Sequence, residues 1–270
     1  MHSHTHMAHR EVSVNYFDLV QEFIERSQGS ATTDDLAKNF ASAIAALGFR
    51  YFACCSHVDP LRPPRRAVMI HSYPEGWVRV FSERQLFHVD PVFQYADSSL
   101  LPFFWDAPSF RARLTRPQQE ILEQAREFGI DHGYTVPIHL PCSRLTYRGS
   151  CSVVPESTRL EAASYHSVQL MSYYMYDAAM READAKDGDA ISAELSRRER
   201  QCLELVAQGK SDWVAGKLLG ISERTVHNHI ERAKRRLRVT TRVQAIVLAL
   251  ATRQISFGDV IRAEPRERRF

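Results

Sequence analysis

Basic and hydrogen-bonding side chains suited to a polyanionic partner are concentrated in the C-terminal third of the chain. Residues 191–270 contain 17 Lys and Arg residues against 9 Asp and Glu residues, a formal charge of +8, which leaves −5 of the whole-chain charge of +3 for residues 1–190. Each Lys or Arg that neutralises a phosphate group releases condensed counterions, so this segment favours a nucleic acid partner. The candidate contact residues are Lys210, Arg224, Thr225, His227, Asn228, Arg232 and Arg235.

Most of these side chains belong to a helix that is expected to begin at Glu223. Ser222 is placed to cap it, because a serine hydroxyl accepts from the free N–H groups of a first helical turn. Apolar residues then recur at intervals of four, three and four, which creates one apolar face and leaves the basic side chains on the others. These apolar residues are Val226, Ile230, Ala233 and Leu237.

Two shorter helices are indicated before this one. Ser196 and Glu199 have the spacing of a capping box, so a helix starts there, and it is expected to end at Gly209. Ser211 is placed to cap a second helix over residues 212–219. This pattern predicts a helical unit in which each start and stop is marked locally.

The turn at residues 220–222 joins the second helix to the basic one, which is the helix-turn-helix arrangement. A major groove of ~12 Å admits one helix, whose N-terminal side chains reach the base edges. A basic helix face alone is more often a solvated surface, but the succession of caps, glycine turn and basic helix favours DNA binding. Arg224, Thr225, His227 and Asn228 are predicted to reach bases, and Lys210, Arg235 and Arg236 phosphates.

A fourth helix, Arg242 to Thr252, is apolar nearly all the way round. A single surface helix in so small a unit could not bury all of these side chains, so we expect a homodimer contact. Two-fold symmetry would in turn match palindromic DNA half-sites. The candidate dimer residues are Val243, Ile246, Val247 and Leu250.

The first 190 residues predict helices on both sides of a group of strands, which favours an α/β/α sandwich. The proline-rich loop around Pro60, Pro63 and Pro64 is expected to be exposed. The predicted strands are Tyr51–Ser56, Ala67–His71, Thr135–Leu140 and Ser150–Val154. The predicted helices are Val14–Arg26, one capped by Thr33 and ending near Gly48, one after Pro74, one from Asp90-Pro91, Arg116–Phe128 and Arg159–Glu182.

Three stretches of the C-terminal unit resemble the DNA-binding module of the LuxR family. They are residues 195–199 (LSRRE), 207–211 (AQGKS) and 221–229 (ISERTVHNH). Upstream, the chain resembles the acyl-homoserine-lactone-binding domain of the quorum-sensing branch of that family, on the spacing of Tyr73, Trp77, Asp90, Pro91, Trp105 and Gly133. The resemblance therefore covers nearly the whole chain.

The resemblance implies a ligand role for each matched residue. Trp77 would donate to the lactone carbonyl and Asp90 would accept from the amide N–H. Tyr73 would hydrogen bond to the acyl carbonyl, Trp105 would pack around the lactone ring, and Ser152 matches a family hydroxyl on a core strand. Phe81 lies where the family usually has tyrosine, so the pocket lacks one hydroxyl. The implied ligand-binding set is Tyr73, Trp77, Phe81, Asp90, Trp105 and Ser152.

Each of these residues also has a purely structural interpretation. Asp90 before Pro91 is an ordinary N-cap followed by a first-turn proline, and from the residues alone this interpretation is favoured. Trp77 and Trp105 are more often core residues than ligand contacts. Gly133 is interpreted as structural, at the start of a strand. Only the family spacing favours the ligand roles.

The resulting prediction is an α+β protein with a sensor domain over residues 13–183 and an all-α four-helix DNA-binding domain over residues 194–257. A linker is expected at 184–193, a disordered tail at 1–12 and a C-terminal tail at 258–270. The expected partners are double-stranded DNA, an acyl- or aryl-homoserine lactone and a second copy of the chain, with RNA polymerase as a further candidate. No cofactor or metal is expected. No membrane contact is expected either, because no apolar run approaches the ~20 residues that span a bilayer.

Cytoplasmic transcriptional regulation in response to cell density is thus the predicted function, and two alternatives are open. One is a ligand-independent regulator of the same type, with the pocket altered at Phe81. The other is a metal-dependent lactone hydrolase using His2, His4 and His6, which is disfavoured because no downstream ligand cluster completes the set. The five cysteines show no metal-site spacing and are expected to be free thiols.

Overall fold

A five-stranded antiparallel sheet organises the first of the two units into which the chain divides. The computed structural model describes residues 15–30, 32–139, 148–157, 160–187 and 194–261. The strand order is β2-β1-β5-β4-β3. The strands are β1 (Phe49–Ser56), β2 (Met69–His71), β3 (Phe103–Phe104), β4 (Tyr134–Ile138) and β5 (Gly149–Pro155).

The helices of this unit cover both faces of the sheet. They are α1 (Tyr16–Gly29), α2 (Thr33–Ala46), α3 (Glu75–Glu83), α4 (Pro91–Ser98), α5 (Pro108–Arg111), α6 (Arg116–Arg126) and α7 (Ala162–Asp187). On one face Phe52 packs edge-on against Phe40 of α2, with ring centroids 4.9 Å apart. On the same face the Ser56 hydroxyl lies 2.8 Å from the phenol oxygen of Tyr176 in α7. The predicted α/β/α sandwich is therefore confirmed.

Successive side chains of a strand point to opposite faces, so the neighbours of these residues face the other helices. Ala53 and Cys55 of β1 line a space that α3, α4 and α6 cover. Ala53 pairs with Ser152 of β5, which points the same way. The sheet thus has a packed face and a face that borders a cavity.

The start of α2 and the short strand β3 differ from the sequence-based predictions. The N-cap of α2 is Thr32, whose hydroxyl accepts from the Asp35 N–H at 3.1 Å, while Thr33 is already helical and bonds to Glu182. Either threonine could have filled the cap, and only the position of Thr33 against α7 separates them. The short strand β3 was not predicted, because a two-residue strand has no alternation to detect.

The helix α7 also continues further than expected. It runs to Asp187, so residues 184–187 of the segment expected as a linker are helical. Alanines at 183 and 185 favour continuation, since alanine has the highest helix propensity. The remainder of that segment, residues 188–193, lies outside the described residues, as do His2, His4, His6 and residues 262–270.

In the described part of the second unit, residues 194–261, every regular element is a helix, and the helix caps are those that the sequence indicates. Ser196 and Glu199 form the capping box, and Ser211 and Ser222 accept from Val214 N–H and Thr225 N–H. Gly220 ends a helix in the left-handed region at φ +68°. The helices are α8 (Arg197–Ala207), α9 (Asp212–Leu219), α10 (Glu223–Arg236), α11 (Arg242–Ala251) and α12 (Phe257–Val260).

The beginning and end of this unit are tied together by hydrogen bonds. The Leu195 N–H donates to Oε1 of Gln254 at 2.6 Å, and Nε2 of Gln208 donates to the Asp259 carbonyl at 2.7 Å. Ile255 is buried in the same core as Leu203 and Ile230. The chain after α11 therefore belongs to the packed unit, although residues 258–261 were predicted to lie in a tail.

Among the described residues, no helix combines the length and apolar character that crossing a bilayer requires.

Candidate ligand cavity and nucleic-acid interface

A cavity of about 110 Å³ lies between the sheet and the helices α3, α4 and α6. Its walls are predominantly apolar and aromatic. All six residues predicted from the sequence for ligand binding line it, although they come from separate elements. These residues are Tyr73, Trp77, Phe81, Asp90, Trp105 and Ser152.

Small side chains of the sheet leave the room for this cavity. Across the strands, His71, Ala53, Ser152 and Thr135 are successive register partners. Ala53 and Ser152 occupy the centre of that row, where a larger side chain would fill the space above the sheet. The cavity therefore depends on these short residues as much as on its aromatic walls.

The wall at Trp105 is held by a chain of hydrogen bonds. The indole N–H of Trp105 donates to the Thr135 hydroxyl at 2.8 Å, and that hydroxyl lies 2.8 Å from the Ser152 hydroxyl. A Cβ on Gly133 would lie 2.2 Å from the same indole, so glycine is needed there for ring packing. The sequence-based interpretation identified Gly133 as structural but missed Thr135, for which residue type alone offered no signal.

Asp90 both caps α4 and faces the cavity, so the two interpretations of this residue are compatible. Its Oδ1 accepts from the backbone N–H of Val92 at 2.7 Å and from that of Phe93 at 3.4 Å. Oδ2 accepts no hydrogen bond from the described part of the chain. Burial raises the pKa of Asp90 from 3.8 to about 6, against the lowering effect of the two backbone N–H groups and of His57.

Two further polar groups in the cavity wall are uncommitted. Neither the Trp77 indole N–H nor the Tyr73 hydroxyl bonds to any residue within the described ranges. Burial raises the pKa of Tyr73 well above its usual value, which keeps the phenol protonated and able to donate. The cavity therefore offers one carboxylate acceptor and two neutral donors in apolar surroundings, which suits a small molecule with an N–H group and carbonyl oxygens.

The proline-rich loop differs in part from its sequence-based description. Pro63 is exposed as predicted, but Pro60 and Pro64 are half-buried, and Pro60 lines the cavity together with Val58. A proline-rich composition predicts a loop but cannot show that the loop folds over an opening. The sequence also did not identify Phe93, Ile121 and Ile130 as lining residues.

Most of the predicted nucleic-acid contacts lie on the outer surface of α10. Arg224, His227, Asn228, Arg232 and Arg235 are exposed, and Val226 and Ile230 of the same helix are buried. Thr225 is half-buried and its hydroxyl lies 2.8 Å from that of Ser222 at the helix start. Lys210, before α9, is half-buried.

Arg236 makes contacts that differ from its predicted role as a phosphate contact. Its guanidinium donates to the Glu194 carbonyl at 3.0 Å and lies 3.5 Å from the buried Glu199 carboxylate. These bonds hold α10 against the start of α8. Arg236 is therefore engaged in packing of the unit, a role that its position at the end of a basic helix did not indicate.

The four dimer candidates on α11 divide into two pairs. Val243 and Val247 are 65 % and 56 % exposed, so their apolar surface is available. Ile246 and Leu250 are half-buried and pack against the core of their own unit. The exposed pair leaves an apolar strip along one side of the helix.

Comparison with known proteins gives two family matches on this chain. The autoinducer binding domain matches residues 32–179, and the family described as bacterial regulatory proteins, luxR family, matches residues 193–249. The transcriptional activator protein LuxR of Aliivibrio fischeri is 30 % identical over 193 residues, 70 % of this chain and 75 % of that protein. The activator VanR of Vibrio anguillarum is 28 % identical over 235 residues, 86 % and 95 % of the two chains.

Solved structures of similar fold include two of SdiA. The crystal structure of Escherichia coli SdiA has a TM-score of 0.65 at 21 % identity and covers 92 % of this chain and 100 % of that one. SdiA in complex with octanoyl-rac-glycerol has a TM-score of 0.62 at 24 % identity, with coverage of 89 % and 96 %. Together with the five-stranded sheet and the helical C-terminal unit, these comparisons establish the fold of both parts of the chain.

The buried Asp90 carboxylate predicts a specific dependence of stability on pH. The pKa of this carboxyl is higher in the folded chain than in the unfolded chain, so the free energy of unfolding falls as pH rises from below about 4 to above about 6. At higher pH it stays at this lower value. Asp90→Asn removes the charge and keeps a good N-cap. At pH 8 this variant should be more stable than wild type by about 3 kcal/mol.

Urea unfolding of both proteins without ligand at pH 5, 6, 7 and 8 tests this expectation, and the gap should narrow toward pH 5. Asp106→Asn, at an exposed position, is the matched control and should follow the wild-type pH dependence. Equal curves for Asp90→Asn and wild type would contradict the role given to the buried charge.

Proposed function

Because the chain belongs to the LuxR family of transcriptional regulators with an autoinducer-binding domain, we propose that it binds an N-acyl- or N-aroyl-homoserine lactone and controls transcription as a DNA-binding homodimer. The observation that carries the proposal is the set of uncommitted polar atoms in the cavity: Oδ2 of Asp90, the Trp77 N–H and the Tyr73 hydroxyl. The family consists of transcriptional regulators, so the chain is a regulator and not an enzyme.

The polar groups of an amide-linked lactone match this set. Such a molecule has one N–H donor and two carbonyl acceptors, and burying any of them unpaired costs about 1–3 kcal/mol. Asp90 accepts from the amide N–H, Trp77 donates to the lactone carbonyl and Tyr73 donates to the acyl carbonyl. Each polar group of the ligand head then has a partner.

The remaining cavity residues accommodate the apolar parts of the ligand. Trp105 packs on the lactone ring, with its own N–H already bonded to Thr135. Phe81 lies 5.8 Å from Trp77, ring centroid to centroid, and offers an apolar wall where a tyrosine would add a hydroxyl. This favours an acyl or aryl group without a polar substituent at that point.

Ligand binding acts on regulation through the stability of the sensor unit. A ligand that binds only the folded state stabilises it by mass action, so the folded, binding-competent population rises with ligand concentration. Dimer formation and DNA binding by the C-terminal unit follow.

Ligand binding is tested by thermal unfolding with a panel of N-acyl-homoserine lactones of increasing chain length and one aroyl analogue. At least one should raise the Tm of the wild type. Trp77→Phe keeps the ring but removes the N–H, and should bind this lactone roughly tenfold more weakly. The matched control is Trp213→Phe, an exposed position on α9, which should bind as the wild type does. No stabilisation by any lactone, with full DNA affinity, would favour a ligand-independent regulator instead.

DNA recognition is tested with a double-stranded oligonucleotide that the wild type selects from a random palindromic library. Arg224→Ala should lose about 1–3 kcal/mol of binding and relax base preference, because an arginine fork reads guanine in the major groove. Arg235→Ala should reduce the slope of log K against log salt by about 1, as expected for one phosphate contact. Arg200→Ala, exposed on α8, is the control. Unchanged selectivity in Arg224→Ala would reject the proposed reading helix.

Dimer formation through α11 is tested at the same site. Val247→Glu places a charge in the exposed apolar strip and should shift the protein–DNA complex from two copies per palindrome to one, with weaker binding. Leu218→Glu, at a similarly exposed leucine of α9, serves as the control and should retain two copies. Sedimentation velocity of the complexes distinguishes these results, and a 2:1 complex of Val247→Glu would place the interface elsewhere.

A further inference from the structure

His57 lies between the sheet and α4, the helix that Asp90 caps. It directly follows β1, and its backbone N–H donates to the Arg148 carbonyl at 2.7 Å. Its side chain is 6 % exposed. Nδ1 lies 2.7 Å from Oδ1 of Asp97, and Nε2 lies 2.8 Å from the Ser150 hydroxyl. A buried imidazole with both nitrogens engaged has a fixed orientation.

These contacts hold α4 at the end opposite to its cap. Asp97 lies in the last turn of α4, seven residues after Asp90. Burial alone would raise the pKa of Asp97, but the hydrogen bond from His57 and the charge of Arg148 hold that pKa below its usual value. The Asp97 carboxylate is therefore ionised and accepts from Nδ1–H of His57.

His57 also contacts α4 one turn earlier. Its ring stacks on Phe93, with centroids 4.2 Å apart and ring planes at 17°. Phe93 lines the cavity, and its backbone N–H is one of the two that bond to Asp90. The His57 side chain thus contacts α4 at Phe93 and at Asp97, four residues apart. These two contacts fix the distance of the helix from the sheet and its rotation about its own axis.

The order Ser150, His57, Asp97 is also that of a nucleophile, a base and an orienting acid. Ser150, however, is 2 % exposed and does not line the cavity, so its hydroxyl does not face the space where a ligand would lie. In this arrangement the serine completes the hydrogen bonding of a buried imidazole. The geometry is suited to positioning and not to attack on a bound molecule.

We propose that His57 is a positioning residue of the ligand cavity, which aims the Asp90 carboxylate and the Phe93 ring at the ligand by anchoring α4 through Asp97 and Phe93. The inference rests on the proposed function for the identity of the ligand. Loss of the anchor lets α4 shift, and the hydrogen bond from Asp90 to the ligand amide then weakens without any change in the residues that touch the ligand.

A double-mutant cycle separates this role from a general loss of stability. His57→Phe keeps the stack on Phe93 but loses both ring hydrogen bonds. The probe is the N-acyl-homoserine lactone that stabilises the wild type most, with affinity measured by calorimetry. His57→Phe should bind it about tenfold more weakly in the wild-type background, and no more than about threefold more weakly when Asp90→Asn is already present. His132→Phe, at an exposed histidine, is the control and should change neither value.

Equal losses in both backgrounds, or no loss in either, would overturn the proposal, since a merely structural residue would not depend on Asp90. Asp97→Asn tests the same anchor with the histidine ring retained, and should give the same pattern if His57→Phe does not fold. Restored binding in His57→Gln, whose side-chain amide can still donate to Asp97, would further support the positioning role. No restoration, together with equal losses of affinity in both backgrounds, would count against that role.

A ligand-free measurement keeps the two proposals distinguishable. Hydrogen exchange at the amides of Val92 and Phe93, which donate to Asp90, should be about tenfold faster in His57→Phe than in wild type, with the amides of α6 unchanged. If no lactone binds the wild type, the proposed ligand class fails while this exchange measurement still decides the positioning role. Unchanged exchange at both amides would reject that role.

Discussion

The burial of the Asp90 carboxylate is the constraint around which the ligand cavity of the sensor unit is arranged. A carboxylate in an apolar wall is unfavourable unless donors surround it, and here the first N–H groups of α4 supply part of that environment. The remaining penalty appears as the raised pKa. Because the residue that caps the helix also lines the cavity, helix capping and the proposed recognition use the same side chain. Much of the surrounding structure, including the aromatic walls and the contacts of His57, determines where this group points.

The two units follow different physical rules. In the DNA-binding unit, serine caps and a left-handed glycine mark the helix ends, so each element is specified by residues within or beside it. In the sensor unit, the cavity depends on residues far apart in the chain, such as Trp105, Thr135 and Ser152, which only the register of the sheet brings together. Short-range sequence signals such as helix caps are therefore strongest in the DNA-binding unit. Long-range packing determines the structure of the unit proposed to bind a small molecule.

This difference accounts for what could be predicted from the sequence. The capping box at Ser196 and the turn before Ser222 predicted the helices of the second unit closely, because caps are short-range interactions. The six cavity residues were found through family spacing, since from the residues alone Asp90 before Pro91 is more typical of a plain N-cap. Thr135, Pro60 and the anchor at His57 were not found, because their roles arise from strand pairing and loop placement. The choice of Thr32 over Thr33 was likewise decided by tertiary contact and not by cap preference.

The hydrogen bond from Leu195 to Gln254 gives the DNA-binding unit a mechanical property. This bond joins the point where the chain enters the unit to the segment that follows α11, so the two ends of the packed unit are held together. Tension applied to the preceding chain would load this hydrogen bond and, through the bond from Arg236 to the Glu194 carbonyl, the end of α10. The entry point is thus held both to the segment after α11 and to the last turn of α10, so a pull on the chain is shared between two elements of the packed unit.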